Sequence, residues 1–321
     1  MSLESDSFTA NRPARSTGVT PVGRFAPSPS GPLHFGSLIS ALASYLDIRS
    51  QKGIWLLRID DLDAPRSVSG SEEAILESLV AHGMQWDEPM SRQSEHTENY
   101  HQALHSLTER NQLFFCNCSR QSLRDTPIYP GTCRENRVSP KLLTSYLAGR
   151  GERTHAIRLQ SEDKAIAVVD ELQHRDDTAQ QTATGDYVVF RRDGLVSYQL
   201  AVVVDDMLTG VNRVVRGADL LATTARQQQL HGWLGGPSPS WLHLPVLLNQ
   251  RNTKLSKQAR SQPIDNTQAS SNLATALQLL GQNLPNSAEK MRASELTQWA
   301  TEHWTPSQLP GEQTFSTFIG W

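Results

Sequence analysis

The stretch VGRFAPSPSGPLHFGSL, residues 22–38, decides the fold because it joins a short strand to a helix through a stiff turn. Its first five residues read as a strand, and Leu38, Leu42 and Leu46 then recur at helical spacing. The segment IWLLRID, residues 54–60, is a nearly continuous apolar run, which is typical of a strand buried on both faces. Strand, turn, helix and strand form a βαβ unit, so the sequence predicts an α/β fold.

The composition is that of an ordinary globular protein, with 321 residues, 20% of them charged, and a formal net charge of −3. There is no overall basic signature, although a local basic patch would suffice to bind nucleic acid. No apolar run approaches the roughly 20 residues of a membrane span, and the polar residues 1–20 predict a flexible tail rather than a secretory signal. Only three cysteines occur, all within residues 116–133, which argues against a disulfide framework and favours a cytoplasmic protein.

The remaining patterns divide the chain into several units. Residues 187–206 predict a hairpin that turns at an Asp-Gly pair and returns to a core strand or helix. An irregular polar stretch predicts an insertion, and two helical patterns near the C-terminus predict a short helical domain. The expected units are a tail at 1–20, a main α/β domain at 21–115 and 159–235, an insertion at 116–158, and a C-terminal domain at 236–321.

The proline-rich turn is a candidate phosphate site. In open parallel sheets, ligands bind outside the carboxyl ends of strands, where the start of a helix offers unpaired N–H groups to an anion. The prolines fix the backbone in advance, Gly31 and Gly36 permit close approach of a ligand, and His34 can donate to a phosphoryl oxygen. A structural loop with a surface histidine explains the same residues, so the turn alone leaves both interpretations open.

A second segment, TKLSKQ at residues 253–258, carries two lysines three residues apart. Taken alone, it is well explained as a solvated basic loop. Taken with the turn, it resembles the paired signatures of class I aminoacyl-tRNA synthetases, usually written HIGH and KMSKS. The resemblance implies that His34, Gly36, Lys254 and Lys257 are catalytic and that ATP is bound by His34, Gly36, Ser37, Ser256 and Lys257, with Mg²⁺ sharing the negative charge.

Four stretches, GRFAPSPSGPLHFGS, LLRIDDLDAPR, YQLAVVVDDMLTGVNRVVRGADLL and KLSK, resemble the catalytic domain of glutamyl-tRNA synthetases over residues 21–258. The resemblance implies a Rossmann-like class I catalytic domain with L-glutamate as the amino acid. A glutamate pocket needs a cation for the side-chain carboxylate, preferably arginine, and an acceptor for the ammonium group. By resemblance, Arg24 meets the side-chain carboxylate, Asp60 meets the ammonium group, and the remaining pocket residues are Phe25, Ala26, Pro27, Ser28, Tyr198 and Arg216.

Position 60 departs from the family pattern, which has glutamate in the motif RIED. Asp60 is one methylene shorter, so the pocket must close slightly or use a bridging water. Each pocket residue also has a structural alternative. Arg24 could form a structural ion pair, Tyr198 could lie in the core, and Asp60 could pair with Arg58 or Arg66.

The chain is short for this family. A full glutamyl-tRNA synthetase continues into a long anticodon-binding region, whereas 63 residues follow Gln258, so we expect no anticodon-binding domain. The short form, the VVRGADLL variant and the Cys-x-Cys insertion resemble the branch of the family that activates glutamate without tRNA. That branch attaches glutamate to the queuosine base at the wobble position of tRNA(Asp). A compact enzyme that charges a tRNA 3′ end and a non-catalytic binding paralogue are the alternatives; a monomer is expected.

The three cysteines surround a tyrosine, in the order Cys116, Cys118, Tyr129 and Cys133. Cys-x-Cys followed by Tyr-x-x-x-Cys matches the zinc-site pattern of this family, and zinc prefers four tetrahedral ligands. A phenol oxygen is an unusual fourth ligand because its pKa is near 10, so a water could complete the shell. Three free thiols are the alternative. No obvious general base lies among these residues, so the site is expected to stiffen the insertion rather than to take part in chemistry.

Overall fold

The computed structural model describes residues 20–126, 128–149, 154–162, 165–173, 180–182, 185–248, 262–312 and 314–316. The helices in these residues are α1 (Phe35–Ser50), α2 (Ser71–Ala81), α3 (Thr97–Glu109), α4 (Pro140–Leu147), α5 (Tyr198–Thr209), α6 (Leu221–Trp233), α7 (Ala269–Leu279) and α8 (Ala293–Glu302). The strands are β1 (Val22–Phe25), β2 (Ile54–Ile59), β3 (Ser91–Arg92), β4 (Leu113–Cys116), β5 (Ala156–Leu159), β6 (Ile166–Val168), β7 (Gln180–Thr182), β8 (Tyr187–Phe190), β9 (Arg213–Gly217), β10 (Ser240–Leu244), β11 (Val246–Leu248) and β12 (Thr314–Ser316).

Two groups of parallel strands form the centre of the fold. β2 pairs in parallel with both β1 and β3, and β9 pairs in parallel with β10. The groups meet at Asn212, whose N–H donates to the Val22 carbonyl oxygen at 3.0 Å and whose side-chain oxygen accepts from the Val22 N–H at 2.9 Å. β1 and β9 therefore lie side by side while their partner strands lie outside them, an arrangement in which open α/β sheets bind ligands.

Helix α1 connects β1 to β2, as the sequence predicts, and buries its apolar face. Leu38 and Leu42 are fully buried and share one core with Trp55 of β2. Burial of each such leucine contributes roughly 1.5–3 kcal/mol to stability. Leu277 of α7 and Leu296 of α8 belong to the same core. The C-terminal helices therefore pack directly on the parallel-strand layer, and the domain boundary at residue 236 stays a prediction.

A second, antiparallel sheet contains β4, β5 and β8. It packs with α3, α5 and α6 around a separate apolar cluster that includes Leu104, Phe190 and Leu230. β5 spans the boundary predicted between residues 158 and 159, and the limits of the insertion likewise stay a prediction. Among the described residues, no helix combines the length and apolar character needed to cross a bilayer.

The segment at residues 187–206 differs in part from the hairpin expected there. β8 is followed by the Asp-Gly turn, but its returning limb pairs only through an isolated bridge between Phe190 and Val196. Ser197 then caps α5, because its side chain accepts from the Leu200 N–H. Of the two outcomes allowed for the apolar run that follows, the helix is confirmed.

Candidate active site

A cavity of about 520 Å³ opens at the carboxyl ends of the parallel strands. Its walls come from residues at or just beyond the ends of β1, β2, β9 and β10, so it lies where the two strand groups meet. Its volume is typical of a pocket for a small molecule. All the described residues predicted to bind glutamate or ATP line it, namely Arg24, Phe25, Ala26, Pro27, Ser28, His34, Gly36, Ser37, Asp60, Tyr198 and Arg216.

Arg24 near the end of β1 is buried and already has an anionic partner. Its Nε donates to both carboxylate oxygens of Asp206, at 3.1 and 3.2 Å. Nη1 of Arg58 donates to the same carboxylate at 2.7 Å. Burial opposes ionisation of Asp206, but the two guanidinium groups hold its pKa below the usual value. The structural ion pair considered for Arg24 is therefore present, and the side chain lines the cavity as well.

Asp60, just beyond β2, is held by a neighbouring arginine. Its carboxylate accepts from Nε of Arg58 at 2.8 Å, which confirms one of the pairings considered for it. Arg66 pairs instead with Asp63, at 2.8 Å. Burial raises the pKa of Asp60 to about 6, although Arg58 acts in the opposite direction. At neutral pH this carboxyl group is mostly ionised, and a cationic ligand would stabilise its charge.

Arg216 gives the cavity a second buried guanidinium group, and this one is surrounded by neutral acceptors. Its Nε donates to Nε2 of His243 at 3.0 Å, Nη1 to Oε1 of Gln227 at 2.7 Å, and Nη2 to Oγ1 of Thr224 at 2.9 Å. The Trp241 ring lies 4.9 Å from the guanidinium carbon. Burial lowers the pKa of Arg216, and no carboxylate pairs with it among the described residues. A buried cation without an anion is costly, so this position favours an anionic ligand.

The other pocket residues differ in burial. Tyr198 begins α5 and is 39% exposed, so the alternative that placed it in the core is wrong. Ser28 is exposed as well. Phe25 is 9% exposed, and its ring stacks on that of Trp55 with centroids 6.4 Å apart. Phe25 therefore joins the cavity wall to the apolar core, whereas the two exposed side chains lie where the cavity opens to solvent.

His34 forms the N-cap of α1. Its Nδ1 accepts from the Ser37 N–H at 3.1 Å, which places the ring proton on Nε2, 3.0 Å from the Ser37 hydroxyl oxygen. The histidine expected to project from the turn is thus anchored by the helix that follows it. The ring still lines the cavity, and a ligand that accepts from Nε2–H there competes with the Ser37 hydroxyl group for this proton.

Lys254, Ser256 and Lys257 of the second signature lie outside the described residues. The chain on either side of them reaches the cavity. Val246 and Leu247 of β11 line it. On the other side, Pro263 forms an antiparallel bridge with His34.

Sequence reasoning missed several buried groups that hold the pocket together. Asp205 and Asp206 interrupt the apolar pattern of α5, and this was a usable signal because buried carboxylates need partners. Asp170 and His243 form a buried hydrogen bond of 2.5 Å. They gave no comparable signal, since 73 residues separate them and only the pairing of β9 with β10 brings His243 beside Arg216.

The predicted zinc ligands lie together in the second sheet region. Sγ of Cys118 lies 3.7 Å from Sγ of Cys133, and the Tyr129 hydroxyl oxygen lies 3.6 Å from Sγ of Cys116 and 3.8 Å from Sγ of Cys118. Tetrahedral zinc with bonds of about 2.3 Å to sulfur places its ligands about 3.8 Å apart, so the donor set fits this ion. The cysteines are not disulfide-bonded.

Ionisation in this cluster is uneven. Burial opposes ionisation of Cys116, but hydrogen bonds from Tyr129, the Cys118 backbone and Arg158 lower its pKa to about 7. The pKa of Tyr129 is raised, first by burial and then by its hydrogen bonds with the cysteines. Burial raises the pKa of Cys118, so Cys116 is better prepared than Cys118 to bind a metal as thiolate.

Known proteins similar to this chain were found at the level of family, sequence and fold. A family model described as the catalytic domain of class I tRNA synthetases (E and Q) matches residues 21–308. The glutamyl-Q tRNA(Asp) synthetase of Dechloromonas aromatica (strain RCB) is 43% identical over 297 residues, covering 90% of this chain and 95% of its own length. The protein of the same name from Pseudomonas aeruginosa (strain PAO1) is 42% identical over 290 residues, with 90% and 95% covered.

The solved structures with the same fold are longer proteins. A glutamate tRNA ligase from Elizabethkingia meningosepticum, crystallised in complex with its amino acid, matches with a TM-score of 0.70 at 23% identity. The match covers 91% of this chain and 66% of that chain. A glutamate-tRNA synthetase from Elizabethkingia anophelis matches with a TM-score of 0.71 at 22% identity, covering 93% and 68%. At these identities the likeness concerns the fold alone.

Proposed function

This chain belongs to the class I tRNA synthetase family for glutamate and glutamine, and we propose on that basis that it is an ATP-dependent ligase of glutamate. In the first step it activates L-glutamate to glutamyl-adenylate without tRNA. In the second step it transfers the glutamyl group to the queuosine base at the wobble position of tRNA(Asp). The named relatives cover nearly the whole chain, and their name describes this reaction.

The charges lining the cavity carry this proposal. Glutamate carries a second carboxylate in its side chain, and the buried charged groups that line the cavity are the guanidinium groups of Arg24 and Arg216 and the carboxylate of Asp60. Arg66 and Asp219 also line the cavity, but their side chains are exposed. Arg24 keeps its predicted role at the side-chain carboxylate, and Arg216, which has no carboxylate partner among the described residues, is assigned to the same carboxylate. Asp60 receives the ammonium group, whose charge favours the ionised form of this acid. An amino acid without a side-chain carboxylate would leave the buried charge of Arg216 without an anionic partner.

In the activation step, an α-carboxylate oxygen of glutamate attacks the α-phosphorus of ATP, and the bond to pyrophosphate breaks. Negative charge accumulates on the reacting phosphate and on the leaving group, so positioned donors and cations accelerate the step. His34 supplies Nε2–H, Gly36 and Ser37 supply the start of α1, and Lys254, Ser256 and Lys257 approach from the second signature. Mg²⁺ would share the phosphate charge.

In the transfer step, a hydroxyl group of the modified base attacks the carbonyl carbon of the adenylate. The ester bond forms as AMP leaves, and the hydroxyl proton leaves with it or with water. Exposed Ser28 and Tyr198 lie where the cavity opens, which is where a base must enter. Unstacked bases of an anticodon loop are accessible to such a pocket. ATP and tRNA are cytoplasmic substrates, so we place the enzyme in the cytoplasm, and a monomer stays a prediction.

The cysteine cluster holds zinc in this proposal. Cys116, Cys118 and Cys133 supply three thiolates, with Tyr129 or a water as the fourth ligand. Bound zinc would cross-link the loops that precede β5 and so stiffen the region beside the antiparallel sheet. The cluster is a structural site in this assignment, because none of its four residues lines the cavity.

The experiment that tests the proposal is ATP–pyrophosphate exchange with purified protein, with each amino acid supplied singly and without tRNA. We expect exchange with glutamate and much weaker exchange with glutamine or aspartate. Exchange that requires tRNA would favour an ordinary glutamyl-tRNA synthetase, and no exchange with any amino acid would favour a non-catalytic paralogue. Either result would contradict the proposal.

A further inference from the structure

We propose that Asp170 and His243 are positioning residues that aim Arg216 at a carboxylate of the substrate. This inference rests on the proposed function, since it concerns how the same cavity selects an acidic amino acid. Neither residue lines the cavity. Both act through Arg216.

The parallel pairing of β9 and β10 places Arg216 directly opposite His243. Nε of Arg216 donates to Nε2 of His243 at 3.0 Å, and Nδ1 of His243 contacts Oδ2 of Asp170 at 2.5 Å. Asp170 and His243 are at most 1% exposed. The three side chains therefore form a continuous buried chain of hydrogen bonds from an anion to the cavity wall.

The direction of these bonds is set at both ends. A carboxylate only accepts and a guanidinium only donates, so the proton of His243 must lie on Nδ1 and its lone pair on Nε2. Burial, and after it the charge of Arg216, lower the pKa of His243 against the opposing effect of Asp170. The neutral ring with this tautomer is the form that accepts from Arg216.

The contacts of Arg216 with the described residues leave two of its N–H groups for a ligand. Arg216 has five N–H groups, and three of them are used by His243, Gln227 and Thr224. One N–H on each terminal nitrogen is left to donate to a carboxylate. Gln227 is itself fixed by a 3.0 Å bond from its amide nitrogen to Gln199. The guanidinium plane is thus held on three sides.

Neutral acceptors also keep the full charge of Arg216 available. Arg24, by contrast, shares Asp206 with Arg58. Had Asp170 contacted Arg216 directly, it would have neutralised the cation that the substrate needs. Because the ring of His243 lies between them, Asp170 fixes the orientation of Arg216 without forming a direct ion pair with its guanidinium group. Glutamine would place an amide N–H₂ against the same donors, so a fixed Arg216 rejects it.

Asp170 is well placed to set this orientation because its own position is rigid. Oδ1 accepts from the backbone N–H groups of Leu172 at 3.0 Å and Gln173 at 2.8 Å, which leaves Oδ2 for His243. The Gln173 side chain donates to the His243 carbonyl oxygen at 2.8 Å. Oδ1 of Asp170 therefore holds the carboxylate to the backbone, and Oδ2 accepts from Nδ1 of His243.

Because the two oxygens have different partners, a variant can change the bond to His243 and keep the bonds to the backbone. In Asp170→Asn the amide oxygen can keep the backbone bonds, while the amide nitrogen faces Nδ1 of His243 and forces the proton onto Nε2. That proton can be accepted by Thr224, whose Oγ1 lies 3.1 Å away, but Nε–H of Arg216 loses its acceptor. We expect the KM for glutamate to rise roughly 10- to 100-fold, with the KM for ATP unchanged and the preference for glutamate over glutamine reduced.

Three companion measurements separate positioning from a merely structural role. His243→Gln, whose side-chain oxygen can replace Nε2, should keep the KM for glutamate within about threefold of the wild type, whereas His243→Leu should not. In an Arg216→Gln background, Asp170→Asn should have no further effect on the KM for glutamate.

The matched control is His82→Gln, at a buried histidine bonded to Asn272 at 3.2 Å. This variant should lower thermal stability without changing the KM for glutamate. Nitrogen-15 shifts of His243 should report the Nδ1–H tautomer in the wild type and Nε2–H in Asp170→Asn.

Failure of the proposed function and failure of this inference give different experimental results. A wild-type protein that catalyses no glutamate-dependent exchange overturns the proposed function and this inference with it. A wild type that exchanges normally, together with an Asp170→Asn variant of unchanged KM and unchanged discrimination, overturns the inference alone. Additive losses in the Arg216→Gln background would show a structural role and would also overturn it.

Discussion

Pro263 bridges to His34 in antiparallel pairing, and the Ile264 N–H donates to the Leu33 carbonyl oxygen at 3.0 Å. The chain that follows the second signature therefore lies directly against the proline-rich turn. Five residues lie between Lys257 and Pro263, so these two positions are at most about 20 Å apart. Both signatures can consequently act on one nucleotide, although they lie far apart in the sequence.

Lys257→Ala should slow glutamate activation by roughly 10²- to 10³-fold, as expected for the loss of one group that stabilises transition-state charge. The effect should fall on the rate at saturating ATP, measured by pyrophosphate exchange. Lys290→Ala, at an exposed site beyond α7, is the matched control and should leave the rate unchanged. A Lys257→Ala rate within threefold of the wild type would remove Lys257 from the mechanism.

Arg24→Ala should raise the KM for glutamate by at least roughly 100-fold and weaken discrimination against glutamine, since the side-chain carboxylate loses one of its two guanidinium partners. The KM for ATP should stay nearly constant. Asp206 keeps its 2.7 Å bond to Arg58 in this variant, so the buried carboxylate is not left without a cation. Competition between labelled glutamate and unlabelled glutamine measures the effect, and unchanged selectivity would contradict the assignment.

The affinity for glutamate should depend on pH through Asp60. Its pKa of about 6 means that the carboxyl group becomes protonated as the pH falls below that value, and the ammonium group of the substrate then loses its anionic partner. The KM for glutamate should therefore rise between pH 7 and pH 5, where glutamate itself keeps its charges. Asp60→Asn should have a high KM that no longer varies over this range. A dependence that survives in Asp60→Asn would point to another group, and His96, whose pKa is raised by its bond to Asp205, is one candidate.

Removal of metal should destabilise the protein without changing the chemistry. Elemental analysis should find one zinc per chain, and chelation or Cys133→Ser should lower the melting temperature by about 5 °C or more. Hydrogen exchange should accelerate around β4 and β5. The rate of glutamate activation below the melting temperature should be unchanged, because the cysteines lie outside the cavity. Full stability after verified metal loss would contradict a structural site.

The local part of this architecture could be predicted from the sequence, and the long-range part could not. The βαβ unit follows from apolar spacing and turn residues, so β1, α1 and β2 were placed within a few residues. Every described residue assigned to the pocket by resemblance lines one cavity. The partners of those residues were not visible, because the contact between Arg24 and Asp206 joins positions 182 residues apart.

Two histidines, His34 and His243, illustrate why the sequence did not predict such contacts. His34 was expected to project from the turn, but α1 begins beside it and its ring caps the helix, a detail that depends on local φ and ψ angles. His243 lies in an apolar run of the sequence, and its role arises from the register of β10 with β9. Spacing within one segment carries no information about such register.

The most direct test of the central claim compares glutamylation of queuosine-containing tRNA(Asp) with that of the same tRNA lacking queuosine. Labelled glutamate, ATP and the purified enzyme are supplied, and the 3′ terminus is removed in a parallel sample. We predict that label is incorporated only when queuosine is present and that loss of the 3′ terminus has no effect. Incorporation that is independent of queuosine and abolished by removing the 3′ end would contradict the proposed function.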